Sequence, residues 1–387
     1  MRILGKGKTA LSIKEVYKDA KLYDDMDFEH FDKQSNELTV VSPGIPPYNE
    51  LVQNSKNLVS DYDLFQDKMP FNIWISGTNG KTTTTQMLQH LLENYDSQCG
   101  GNIGFPIASL NTDKKIWILE TSSFTLHYTN SANPNIYVLL PISDDHLSWH
   151  GSFIEYEKAK LKPLANMKKD DIAIIPRKFE SYNTEAKTIY YDCTNDLADY
   201  FHIEQSKIKF KEPFLMDAVL ALIVSSLVTK KEFEYDKINS FIQDPHKLEE
   251  FEDGQSRVWV DDSKATNIDA TIQALKMYRD KKMYLILGGD DKGANLIPLF
   301  NELIKYDVEL FLIGKNIKSL EKLAILNDIY YEVSHIMKNA IEQIDRRFVD
   351  KENSIAMLSP AAASLDQFSS YKERGEKLKE FVKFLKN

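Results

Sequence analysis

The stretch Trp74–Thr85, WISGTNGKTTTT, decides how the rest of the chain is read. An apolar run stops at Gly77 and Gly80, meets Lys81, and continues into four threonines. Just upstream, Asn72–Ile75 has the composition of a strand. Downstream, Met87, Leu88, Leu91, Leu92 and Tyr95 recur on one helical face. Strand, glycine turn, Lys-Thr and helix together make the layout of a phosphate loop. Its glycines let backbone N–H groups approach phosphate oxygens, and the helix N-terminus adds positive potential. Gly77, Thr78, Asn79, Gly80 and Thr83 would line it, Lys81 would reach the outer phosphates, and the Thr82 hydroxyl would bind Mg²⁺. The common loop has a glycine five residues before the glycine of Gly-Lys. Ile75 holds that position here, so the loop is a shortened variant. The competing reading is a plain strand-to-helix turn with an incidental lysine.

Outward from this point, short apolar runs alternate with longer segments of helical period. This predicts an α/β fold with mostly parallel sheets. The clearest strands are Asn72–Ile75, Lys115–Leu119, Asn135–Leu140, Asp171–Ile175, Arg257–Val260, Lys282–Leu287, Glu309–Ile313 and Ser354–Leu358. Three domains are expected, at 1–70, 71–245 and 246–387, the last boundary marked by Asp244-Pro245. The first opens with a strand at Met1–Leu4, a helix near Ile13–Ala20, a strand at Lys21–Tyr23 and a proline-stiffened turn at Ser42–Pro47.

Ligands collect at strand C-termini in open α/β sheets. Glu120-Thr121-Ser122 follows one strand, and a carboxylate there can share the Mg²⁺ of a neighbouring phosphate loop. It can equally be an ordinary strand-end Glu beside a helix cap. Asp144-Asp145-His146 follows the next strand, where His146 is either a ligand or a structural residue. Lys160 sits in a lysine-rich helical stretch that composition reads as a solvated face. Beyond residue 246, polar loops follow three strands: Asp261–Asn267, Gly288–Gly293 and Ser359–Ser364. Together they suggest one rim, with Asp262 and Asn267 toward a nucleotide and Lys264 or Thr266 toward an anion. Each alone is compatible with a surface turn.

The totals narrow the function class. With 387 residues the chain exceeds one ordinary core, and a net charge of -10 argues against a nucleic-acid footprint. Cys99 and Cys193 show no metal-ligand spacing, which fits a reducing compartment. The sequence has neither a signal-peptide pattern nor an apolar run of membrane-spanning length, so a cytoplasmic protein without a membrane partner is expected.

The ordered set GTNGKTTT, GGNIG at Gly100–Gly104, ETSSF at Glu120–Phe124, DDH at Asp144–His146, AKLK at Ala159–Lys162, HK at His246–Lys247, DDSKATN at Asp261–Asn267 and SPAAASLDQF at Ser359–Phe368 resembles the Mur ligases. These are ATP-dependent amide ligases of peptidoglycan precursor synthesis. With SPGIP at Ser42–Pro46, the last two motifs resemble the branch that adds D-glutamate to UDP-N-acetylmuramoyl-L-alanine. The resemblance implies a small Rossmann-like UDP-binding domain, a central ATP-binding parallel sheet and a Rossmann-like C-terminal domain. It implies a monomer with ATP and two Mg²⁺ ions. Lys81 and Thr82 would hold phosphates and metal, and Glu120 would share that metal. His146 and a carbamylated Lys160 would serve the second. Asn102, Thr121 and Ser122 would contact the sugar-peptide, and Gly5, Lys6, Thr9 and Ser42 the UDP. Lys247, Asp262 and Asn267 would meet ATP. Lys264, Thr266, Lys292, Ser364, Leu365 and Tyr371 would surround D-glutamate. Three positions depart from the family pattern: Lys247 stands where Arg is frequent, Ser148 follows Asp-His-Leu, and Tyr371 replaces a common Phe. The nearest rivals are a sister amide ligase with another amino acid, or a nucleotide-binding switch that performs no ligation.

Overall fold

The computed structural model describes residues 1–385, which fall into two compact units, Met1–Phe241 and a second from Ile242 onward. The first unit holds two sheets. Strands β1 (Arg2–Leu4), β2 (Lys21–Tyr23), β3 (Leu38–Val41) and β4 (Asn57–Val59) pair in parallel in the order β2-β1-β3-β4. Strands β5 (Phe71–Ser76), β6 (Ser97–Gly101), β7 (Ile116–Glu120), β8 (Ile136–Leu139), β9 (Ile172–Pro176) and β10 (Lys187–Tyr191) form an all-parallel sheet in the order β10-β9-β8-β5-β7-β6.

β5 is central because both its faces are apolar. Ile73 and Ile75 pack with Met87, Leu88 and Leu91 of the helix Lys81–Leu92 and with the apolar helix Phe214–Thr229. Trp74, on the opposite face, packs with Trp117, Tyr137, Tyr62 and Phe65, and this second core continues into Ile3, Ile13 and Val40 of the first sheet. The first sheet's other face, Leu4 and Val41, is closed by Phe31, Leu51, Tyr128 and the half-buried Trp149. Two of those side chains come from the chain that follows β7 and β8, so the small sheet completes its core with residues of the large one.

The second unit is a sheet of β11 (Glu249–Glu252), β12 (Val258–Asp261), β13 (Lys282–Leu287), β14 (Val308–Ile313), β15 (Tyr331–His335) and β16 (Ser354–Leu358), in the order β11-β12-β16-β13-β14-β15. β11 alone runs antiparallel, on an edge. Trp259, Tyr284, Phe311 and Leu358 pack one face against the helices Met337–Arg347 and Tyr371–Lys383.

The α/β architecture with parallel sheets agrees with the sequence expectation. The first helix does not: it spans Lys8–Val16, starting directly after Gly7 rather than near Ile13. Its buried residues Ala10 and Ile13 anchor it on the second core, which starts the helix at the loop's end. No helix among the described residues is long and apolar enough to cross a membrane.

Truncating the indole that closes the first sheet, Trp149→Ala, is expected to lower unfolding free energy by about 2 kcal/mol. Urea denaturation checks this, and an unchanged midpoint and slope would remove Trp149 from that core.

Candidate active site

The phosphate loop leaves the C-terminal end of β5 between β7 and β8. Gly77 has φ 143°, and a Cβ there would fall 2.4 Å from the Leu140 Cβ. Gly80 has φ 82°, and its Cβ would fall 2.6 Å from Asp217 Oδ1. Both positions therefore demand glycine on two grounds, space and backbone. The Thr78 amide donates to the Pro141 carbonyl at 3.1 Å, and its hydroxyl donates to the Ser143 carbonyl at 3.0 Å while lying 2.8 Å from Tyr156 Oη. Thr78 thus fastens the loop to the chain after β8. Gly80 is the N-cap of the helix Lys81–Leu92 and contributes no side chain to it, and the positive end of the helix dipole favours an anion there. Lys81 curls back, its Nζ donating to the carbonyls of Gly77 at 3.0 Å and Thr78 at 2.8 Å.

Asp217 was not found from the sequence, because it lies in a strongly apolar helix. It is buried and accepts the Thr84 hydroxyl at 2.6 Å, tying the helix Phe214–Thr229 to the phosphate-loop helix.

Glu120 ends β7, in register with Ile75 of β5. Only 2% of it is exposed. Its Oε1 accepts from Asn102 Nδ2 at 2.6 Å, while Oε2 is buried with no hydrogen-bond partner. Burying half a carboxylate unpaired is costly unless a cation completes it. Asn102 therefore orients this carboxylate.

Lys160 is the largest departure from sequence reasoning. The solvated face expected from composition is in fact 1% exposed at this residue. Its Nζ donates to the Gly77 carbonyl at 2.8 Å and lies 3.3 Å from Ser76 Oγ and 4.8 Å over the Tyr156 ring. Burial, together with the charge of Lys81, pushes this amine well below the ordinary lysine range. The pocket accepts an amine more readily than an ammonium.

His146 has φ 54° and opens the short helix Leu147–His150. Its ring lies 4.6 Å from Phe124, and Nε2 is 3.5 Å from Asp145 Oδ2. His150, at the far end of that short helix, is buried: Nε2 pairs with Ser123 Oγ at 2.9 Å, and Nδ1 has no partner. Burial, then the nearby His127, His146 and Lys160, push it down to about 3. Thr121 donates its hydroxyl to the Ile75 carbonyl at 3.1 Å, and Ser122 caps the helix Ser123–Tyr128. Both hydroxyls are engaged in holding the strand end.

In the first sheet, Gly5 has φ 102° and faces Ser42, whose buried Oγ lacks a partner; a Cβ on Gly5 would come within 2.8 Å of it. Lys6 is paired with Asp24 at 2.8 Å and Asp27 at 3.0 Å. Thr9 accepts the Ser12 hydroxyl through its carbonyl at 2.8 Å. Tyr128 Oη donates to the Ile45 carbonyl at 2.7 Å, fixing the Ser42–Pro47 turn to the helix after β7.

In the second unit, the three expected loops follow β12, β16 and β13, which are neighbours with a common direction, so their ends share one rim. Asp262 is buried, accepts from Ser359 Oγ at 2.6 Å and from the Leu248 amide at 3.3 Å, and burial raises it to about 7. Asn267 caps the helix Ile268–Met277 through the Ala270 amide. The Thr266 amide donates to the Lys264 carbonyl at 2.9 Å, and Lys264 Nζ lies 5.8 Å over the Tyr371 ring. Lys292 takes φ 51° beside Asp290, and the loop is stitched to Ala363 by two backbone bonds of 3.0 and 2.9 Å. Ser364 is buried while Leu365 next to it is exposed. Arg374, missed from the sequence, is buried and donates to Ser263 Oγ at 2.9 Å and to the carbonyls of Ser263 and Ala362 at 2.7 and 3.1 Å, joining two of the rim's loops.

A family model for the Mur ligase middle domain matches residues 75–216. The chain is 48% identical, over 91% of its length and 87% of the relative's, to a UDP-N-acetylmuramoylalanine–D-glutamate ligase from Campylobacter jejuni (strain RM1221). It is 43% identical to the protein of the same name from Helicobacter pylori (strain HPAG1), over 98% of both chains. Among solved structures it is similar to a MurF ligase from Thermotoga maritima in complex with ADP, with a TM-score of 0.61 at 14% identity, covering 98% of this chain and 93% of that one. A folylpolyglutamate synthase from Mycobacterium tuberculosis complexed with ADP and AMPPCP gives 0.58 at 14% identity, covering 82% and 93%. At such identities the structural likeness speaks for the fold alone.

The depressed His150 has a consequence for acid stability. Between its ordinary 6.5 and about 3, the unfolded chain takes up a proton that the folded chain refuses, so stability falls as pH falls through that window. In urea titrations across it, the wild type should lose stability more steeply than His150→Gln, the two running parallel above pH 6.5. Parallel behaviour throughout would contradict the neutral imidazole.

Proposed function

Since the chain belongs to the Mur ligase family, among the UDP-N-acetylmuramoylalanine–D-glutamate ligases, we infer that it joins D-glutamate to UDP-N-acetylmuramoyl-L-alanine with ATP as the driving nucleotide. The observation that carries this reading is the identity to proteins of that name over nearly the full chain. The geometry supplies its chemistry.

A carboxylate resists attack by an amine because its resonance and charge must first be broken. An oxygen of the L-alanine carboxylate attacks the γ-phosphorus, the bond to ADP breaks, and an acyl phosphate forms. The D-glutamate amine then attacks the carbonyl carbon, loses a proton, and the tetrahedral adduct expels inorganic phosphate. Both steps gather anions, so the protein's task is to hold positive groups ready where charge develops. The helix N-terminus after Gly80 and the Lys81 ammonium would do this for the phosphates, with Gly77, Asn79 and Thr83 shaping the loop.

The donor set fits a divalent cation: Glu120 brings a buried, unpartnered oxygen to the loop that carries the Thr82 hydroxyl. Mg²⁺ bound there would neutralise phosphate charge and act as a Lewis acid. We assign a second Mg²⁺ to His146 and Lys160. The lowered basicity of Lys160 supports its carbamylation, since only the neutral amine can bond to the carbon of CO₂, releasing a proton and gaining an anionic oxygen pair. In the second unit, Lys247 is assigned to ATP phosphate, Asp262 to its ribose and Asn267 to the nucleotide. Lys264, Thr266, Lys292, Ser364, Leu365 and Tyr371 are assigned to D-glutamate. Gly5, Lys6, Thr9 and Ser42 are assigned to UDP, and Asn102, Thr121 and Ser122 to the sugar-peptide. The three sheets thus serve as UDP, ATP and amino-acid domains. A monomer is assigned, and ATP as substrate supports a cytoplasmic setting.

Purified protein with ATP, Mg²⁺ and UDP-N-acetylmuramoyl-L-alanine is expected to release ADP only when D-glutamate is added. Release with another amino acid instead would move the substrate, and none with any would defeat the ligase reading. Lys81→Ala should cut kcat by roughly 10³-fold or more with an unchanged thermal midpoint; full turnover would sink the assignment of the loop.

A further inference from the structure

Two left-handed residues, neither of them glycine, bracket Lys247: His246 at φ 68° and Leu248 at φ 46°. L-residues avoid this region because Cβ crowds the adjoining carbonyl. Such backbone persists only where its surroundings over-determine it, and these surroundings do. His246 Nδ1 lies 2.6 Å from Asp261 Oδ2, with both side chains buried. The His246 amide donates to Glu249 Oε2 at 3.0 Å, and the His246 carbonyl accepts the Lys264 amide at 3.0 Å. The Leu248 amide donates to Asp262 Oδ1 at 3.3 Å. The Lys379 ammonium supplies the positive charge of the cluster, 2.7 Å from Glu249 and 3.7 Å from Asp261.

The remaining side is closed by the helix Tyr371–Lys383. A Cβ on Gly375 would fall 2.1 Å from His246 Nδ1 and 2.7 Å from Asp261 Oδ2. The His–Asp pair is therefore pressed onto bare helix backbone. Glycine is a poor helix former, so its place inside this helix is explained by the room it leaves. The His246 side chain is thus fixed by this contact, while Leu248, on the other side of Lys247, is held by Asp262.

We propose that His246, Asp261 and Gly375 form a clamp that presents Lys247, with His246 as a positioning residue and Lys247 as the group that meets the nucleotide phosphate. The inference rests on the role assigned to Lys247 above. A clamp of this kind differs from a mere structural staple in one respect: breaking it reproduces the kinetic signature of losing Lys247.

The test compares Lys247→Ala, His246→Ala, His246→Asn, Gly375→Ala, and the pairs His246→Ala/Lys247→Ala and His246→Ala/Gly375→Ala, in the full-length protein. The readouts are kcat, KM for ATP and for D-glutamate, and the thermal midpoint. Gly375→Ala and His246→Ala should each raise KM for ATP about tenfold, as Lys247→Ala does, with KM for D-glutamate within about twofold. The pairs should be no worse than Lys247→Ala or His246→Ala alone, because each second change acts on a device already lost. His246→Asn should recover most of the loss, since Asn tolerates the left-handed region and can still bond Asp261. If His246→Ala and Lys247→Ala multiply, or if both KM values rise together, the clamp is a staple and the proposal fails. If Lys247→Ala leaves KM for ATP unchanged, the role of Lys247 falls and takes the clamp with it. If Lys247→Ala raises it and His246→Ala does not, the clamp alone falls.

Discussion

The site rests on a contact with no room in it. Gly77 lies so close to Leu140 that even a methyl group would overlap, and its φ of 143° is closed to other residues. This holds the end of β5 against the end of β8. From it follow the bond between the Thr78 amide and Pro141, the anchoring of the Thr78 hydroxyl by Ser143 and Tyr156, and the direction in which the helix Lys81–Leu92 starts. The Gly77 carbonyl, turned inward by the same geometry, accepts both Lys81 and Lys160.

That carbonyl stands at the centre of an electrostatic conflict. Two lysines share it, one of them buried, and a buried carboxylate lies at the end of the next strand with one oxygen unpaired. Leaving that carboxylate oxygen unpaired in the interior costs on the order of several kcal/mol. Burial, with a second lysine crowded beside it, lowers the basicity of the buried amine. Both features fit a working state in which phosphates and cations complete the set. The first sheet shares this economy of parts: Tyr128 and Trp149, from the segments that carry Glu120 and His146, also close its core and hold the Ser42–Pro47 turn.

Much of this could be read from the sequence, and the misses follow a physical rule. In the two larger sheets every interior strand was recognised, because a strand buried on both faces is a continuous apolar run. The four that were missed, β6, β10, β11 and β15, are the edges. β6 reads Ser-Gln-Cys-Gly-Gly, a sequence that makes a strand only because β7 lies beside it. The phosphate loop and Glu120 were legible because glycine geometry and strand-end position are local properties. Lys160, Asp217 and Arg374 were not. Their chemistry comes from which way a helix face turns, and a lysine in Glu-Lys-Ala-Lys looks solvated until Tyr137 and Tyr156 are placed around it. The clamp at His246 was equally hidden, since Asp261 and Gly375 are brought to it only by the sheet and the final helix.

The central claim is that the phosphate loop activates a carboxylate rather than merely hydrolysing ATP. The most direct measurement is oxygen transfer. UDP-N-acetylmuramoyl-L-alanine carrying ¹⁸O in its alanine carboxylate would be turned over with ATP and D-glutamate, and the inorganic phosphate analysed by mass spectrometry. An acyl phosphate delivers one labelled oxygen to each phosphate released. Phosphate free of label would show that ATP cleavage and amide formation proceed by another route, and the account of this site would be wrong.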